Sequence, residues 1–131
     1  MMMINWAKMD GAGLLPLELG RARTLPDGAV ETPGVADPTA LMRMMLVDGV
    51  WVDRPRPIVQ TDQTGVTTVT LADAPAGTTC RIVDLLTDDL LFEGPSDAGA
   101  IWTLPDPGRY AVEIDPPLPW LPVSLRLEVF A

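Results

Sequence analysis

The chain has 131 residues, 14 of them proline and 11 glycine, with 47 % apolar side chains, one cysteine, no histidine and a net charge of −9. That charge repels phosphate backbones and anionic headgroups, so nucleic acid and membrane surfaces are excluded as expected partners. The lack of histidine removes His-based triads and most zinc and copper sites, and the lone Cys80 leaves neither an intrachain disulfide nor a thiolate cluster.

A chain of this length buries enough surface to fold without a metal or disulfide staple. Its turn residues are spread along the whole length, which points to many short elements and to an all-β fold. The opening, "MMMINWAKMDGAGLLPLELG", is apolar but has no basic n-region, and Lys8, Asp10, Pro16 and Glu18 interrupt it, so it does not read as a signal peptide. No run reaches the ~18 apolar residues of a membrane span. The expectation is folding in a cytoplasm without membrane insertion. Residues 1–40 have turn signals at Pro26-Asp27-Gly28 and Pro33-Gly34 but no sustained period, and read as an extended N-terminal arm with short strands. Leu14, Leu15, Leu17 and Leu19 are too apolar for a free linker, so the arm is expected to dock on the rest of the chain or on a partner.

The stretch "LMRMMLVDGVWVDRP" carries Asp48-Gly49 between two apolar runs. This dipeptide suits a type I′ turn, which needs φ > 0 at both central positions, and predicts a β-hairpin over 42–53 with Val47 opposite Val50 and Leu46 opposite Trp51. A rival reading starts a short helix at Asp37-Pro38 and runs it to Met45; the turn chemistry favours the hairpin. Both hairpin faces are apolar, so a cover is expected on each. "RPRPIVQTD" reads as an extended connector, because residues before proline avoid the helical region. Six strands are then predicted at 66–72, 78–86, 90–94, 99–104, 109–114 and 123–130. Turns recurring roughly every 8–12 residues mark a β-sandwich or barrel. Alternation turns Tyr110, Val112 and Ile114 to one face, and Val123, Leu125, Leu127 and Val129 inward on the last strand.

Asp106-x-Gly108-x-Tyr110-x-Val112 resembles the D-x-G-x-Y-x-C turn and strand of immunoglobulin-like sandwiches, with Val112 standing where that family has cysteine. The resemblance implies an immunoglobulin-like antiparallel β-sandwich over 41–131, the hairpin included, with a tyrosine corner and no disulfide. "PPLPWLP" crosses to the last strand as a stiff polyproline-like segment.

The chain offers little for catalysis or for a cofactor. Ser96 and Ser124 are the only serines and neither has a base nearby; no phosphate loop or EF-hand loop occurs. Glu113 and Asp115 share a strand face and read as solvated. Asp84, Asp88, Asp89 and Glu93 read as a solvated acidic turn, with a loop Ca²⁺ site as the other reading. Of the four tryptophans, Trp120 sits in a proline-flanked loop and is expected at the surface; Trp102 is next to Ile101, and one of the two faces outward. The residues expected to meet a partner are Leu14, Leu15, Leu17, Met44, Leu46, Trp51 and Trp120.

An acidic chain with an apolar arm, a DG hairpin, an immunoglobulin-like sandwich and no catalytic set resembles the small tail-associated structural proteins of long-tailed bacteriophages. That resemblance implies a non-enzymatic assembly module of the virion, in the tail or its tip. Its expected partners are other tail proteins or its own copies. Two alternatives stay open: a carbohydrate- or receptor-binding sandwich, and a cytoplasmic tail-assembly chaperone.

Overall fold

The computed structural model describes residues 3–34 and 38–130. They form two compact units, divided between Arg54 and Pro55. In the first, β1 (Ile4–Met9), β2 (Pro16–Ala22) and β3 (Ala29–Glu31) make an antiparallel sheet in the order β2-β1-β3. The short strands expected in residues 1–40 thus pair with one another. Asp10 shapes the β1–β2 turn: its carboxylate accepts the Leu14 and Leu15 N–H groups at 2.9 and 3.2 Å. Those amides hold its carboxyl below the usual carboxylate range. Trp6 lies opposite Gly20, and a Cβ at Gly20 would stand inside the indole ring. Gly20 is therefore needed for close approach, not for a turn.

Pro38–Arg43 is a 3-10 helix, and β4 (Met44–Val47) with β5 (Val50–Asp53) forms the hairpin. Each rival reading of this stretch describes part of it: one helical segment ends at Arg43 and the strand begins at the next residue. Asp37, the expected cap, lies outside the described residues. Asp48 (φ 49°) and Gly49 (φ 78°) both take the left-handed conformation of the type I′ turn. Leu46 stands opposite Trp51 and Val47 opposite Val50, as the dipeptide predicts.

The hairpin is tied back to the first sheet. Leu46 N–H donates to the Leu14 carbonyl at 2.9 Å, and Trp51 Nε1–H to the Glu31 carbonyl at 3.4 Å. The hairpin therefore belongs to the first unit, and the division falls at 54/55 instead of 40/41. Hydrogen bonds to earlier residues outweigh its nearness in sequence to the later strands.

The second unit is a β-sandwich. One sheet contains β6 (Ile58–Asp62), β7 (Thr67–Asp73) and β10 (Ile101–Leu104) in the order β10-β7-β6. The other contains β8 (Thr79–Asp84), β9 (Leu90–Pro95), β11 (Gly108–Asp115) and β12 (Val123–Val129) in the order β12-β11-β8-β9. All pairings are antiparallel. Each of the six predicted strands has its counterpart. The segment expected as a connector also forms a strand, β6. Pro55 and Pro57 precede it, and it pairs only with β7 at a sheet edge, where proline neighbours are tolerated.

Alternation builds the core. Val69 and Leu71 on β7, Cys80 and Ile82 on β8, Leu104 on β10, Tyr110, Val112 and Ile114 on β11, and Val129 on β12 are buried together. Full burial of a Val, Leu or Ile side chain stabilises by about 1.5–3 kcal/mol. Outward residues of the four-stranded sheet carry a charge ladder, with Arg81–Glu93 and Arg109–Glu128 each at 3.8 Å and well exposed. Such pairs contribute little to stability. The sheet edges are guarded: β12 shows Arg126 and Glu128, β9 carries Glu93 and ends at Pro95, β10 has four residues, and β6 has a register shift between Ile58 and Val59.

Candidate functional site

The seven residues expected to meet a partner divide between the units. Leu14, Leu15, Met44, Leu46 and Trp51 are half-buried within the first unit, and the bonds just described gather Leu14, Leu46 and Trp51. Leu17, on β2, is 69 % exposed, although it lies only two residues from the half-buried Leu15. Trp120 is in the second unit and half-buried, its N–H donating to the Pro117 carbonyl at 3.1 Å. The proline-flanked loop thus does not leave it on open display.

Alternation on the hairpin picks out a different set. Leu46 and Trp51 share the face that Trp51 ties to β3. Met45, Val47, Val50 and Val52 share the other. Of these, Val47, Val50 and Val52 are exposed, Val50 by 59 %. Two apolar faces left the sequence with no signal for which one stays uncovered. The parity set by the Asp48-Gly49 turn, combined with the Trp51 bond, decides it.

In the second unit a cleft of about 310 Å³ opens at one end of the sandwich. Its wall includes Ile82, Phe92, Trp102 and Leu104, with Asp84, Asp89 and Asp106 around them. Trp102 stands opposite Val69, so its side chain shares the inner face while Ile101 is 63 % exposed outward. Phe92 and Trp102 pack with ring centroids 5.4 Å apart at 54°. The β8–β9 turn brings two of the acids together, for Asp84 N–H donates to the Asp89 carbonyl at 2.9 Å. The third comes from the β10–β11 turn, where the Tyr110 hydroxyl donates to the Asp106 carbonyl at 2.7 Å. This is the upstream backbone bond of a tyrosine corner. Burial raises the Tyr110 phenol above its ordinary value, and the charges of Asp84 and Asp106 raise it further. Carboxylates from two separate turns therefore act on one point.

Other chemistry in the chain is accounted for locally. Asp84 caps its own turn, its carboxylate accepting Leu86 N–H at 2.9 Å and Thr87 N–H at 3.3 Å. Among the described residues no three Cys, Asp or Glu side chains gather as a metal-holding group. Burial pushes the Cys80 thiol up to about 11, which keeps it protonated and unreactive in the folded unit. Ser96 is buried and its hydroxyl donates to the Gly94 carbonyl at 3.4 Å. No helix among the described residues is long and apolar enough to cross a membrane. Comparison with family models, with curated proteins and with solved structures gave no match.

Proposed function

We propose that the protein is a non-catalytic structural module of a bacteriophage tail or tail tip, made in the host cytoplasm and working through protein–protein contacts. The observation that carries the contact reading is the uncovered hairpin face of Met45, Val47, Val50 and Val52, which holds no charged side chain. A contiguous apolar face of this kind marks an interaction surface more often than a solvent face. The tail assignment rests on the resemblance in composition and architecture set out above. An immunoglobulin-like identity for the second unit is supported by its three-plus-four strand arrangement and by the Tyr110 corner.

Light scattering of the full chain tests the contact reading. The wild type is expected to associate, with itself or with a co-expressed tail protein. The Val50→Asp, Val52→Asp double variant is expected to remain folded by circular dichroism and to lose that association. A wild type that stays monomeric and unbound over the accessible concentration range would count against the reading. Mass spectrometry of purified particles separates a virion component from an assembly chaperone, which is absent from the finished particle.

A second reading, a carbohydrate- or receptor-binding sandwich, is favoured by one observation: Trp102 and Phe92 line a cleft beside carboxylates. It expects saturable quenching of tryptophan fluorescence by glycans.

A further inference from the structure

We propose that the cleft at the end of the second unit receives a basic side chain of a partner protein, arginine above all, between its carboxylates and its aromatic wall. This deepens the protein-contact reading and rests on it, by naming the chemistry of one contact.

Three facts lead to that occupant. First, charge complementarity: Asp84, Asp89 and Asp106 line the cleft and no lysine or arginine does. The two described ion pairs, Arg81–Glu93 and Arg109–Glu128, involve none of the three. Asp89 and Asp106 are exposed, and no described residue donates a hydrogen bond to either carboxylate.

Second, hydrogen-bond polarity. The polar side chains of the wall are the three carboxylates, the Thr103 hydroxyl, the Trp102 indole and the Tyr110 hydroxyl. The Tyr110 hydroxyl is committed to the Asp106 carbonyl and Asp84 Oδ1 to the Leu86 and Thr87 N–H groups, which leaves the other Asp84 oxygen, Asp89 and Asp106 as acceptors. Acceptors dominate, so the fitting ligand is rich in donors and poor in acceptors. A guanidinium has five N–H donors and no acceptor. Sugar hydroxyls both donate and accept, and such a wall satisfies them only in part.

Third, size and apolar wall. A volume of about 310 Å³ suits one long side chain, since small-molecule pockets run from roughly 300 to 1,000 Å³. Phe92 and Trp102 supply aromatic surface, and guanidinium groups stack on aromatic faces while pairing with carboxylates.

The test is an NMR titration of the ¹⁵N-labelled full chain with N-acetyl-arginine amide, with its neutral citrulline analogue, and with a neutral monosaccharide. The Trp102 indole signal is assigned with a Trp102→Phe variant. The expected result is a saturable shift of the Trp102 indole and of the Asp89, Asp106 and Tyr110 amides with the arginine compound. That shift weakens at high salt and is absent with citrulline. Asp89→Asn with Asp106→Asn is expected to weaken binding by roughly tenfold or more while leaving the spectrum folded. Equal shifts with citrulline, shifts confined to other residues, or no shift at all would overturn the proposal. Binding of the sugar in place of arginine would overturn it in favour of the glycan reading. Light scattering on the same samples keeps the two readings apart: association that persists while arginine fails to bind removes this inference alone.

Discussion

Tyr110 is the single tyrosine of the chain, so its titration can be followed without overlap. It is buried at the end of the core, with its hydroxyl on the Asp106 carbonyl. Burial first, then Asp84 and Asp106, raise its folded pKa above the ordinary 10.0. A raised folded value means that its contribution to stability is complete below about pH 10 and is lost as pH climbs through the folded value. Cys80, pushed up to about 11, acts in the same direction. The expected outcome is a phenolate absorbance that appears later in the native protein than in the denatured one, together with a denaturant midpoint that starts to fall above about pH 9, through Cys80, and falls further above pH 10, through Tyr110. In Asp84→Asn, Asp106→Asn the Tyr110 midpoint moves part of the way back, because burial remains. A native phenol titrating at its ordinary value would contradict this account.

At the scale of elements, the Asp48-Gly49 hairpin was legible because one dipeptide dictates both its turn type and its register. Gly49→Ala would place a Cβ at φ 78°, a conformation costing an L-residue about 1–2 kcal/mol. The expected result is faster amide exchange over 44–53, with β7, β8 and β11 unchanged. Asp10-Gly11 is a similar dipeptide, yet the β1–β2 pairing was not read from it. That turn is longer, and it depends on the Asp10 carboxylate reaching Leu14 and Leu15, which no dipeptide reveals. β6 was hidden by Pro55 and Pro57, which deny it nothing because it stands at an edge. The alternation of β11 and β12 was plain, and with it their share of the core, Tyr110, Val112, Ile114 and Val129. The cleft was not, since its acids come from turns far apart in the chain and meet only through the Asp84–Asp89 bond and the Tyr110 corner. The parity of Ile101 and Trp102 likewise needed the register with β7.

For the molecule as a whole, the division at 54/55 has a direct consequence. The second unit has its own buried cluster drawn from both sheets, so residues 55–131 expressed alone are expected to fold. The check is a cooperative thermal transition with a Tyr110 titration matching the full chain; a fragment without either would mean that the sandwich depends on the first unit. Its guarded strand borders reach further. Antiparallel bodies crowded side by side tend to fuse into one continuous ladder when their outermost backbones are open. Here the charges of β12, the proline that ends β9, the brevity of β10 and the offset in β6 deny a neighbour any long run of amides to zip onto. Sandwich units of neighbouring copies are therefore not expected to fuse edge to edge, which leaves contacts between molecules to side-chain faces such as that of the hairpin.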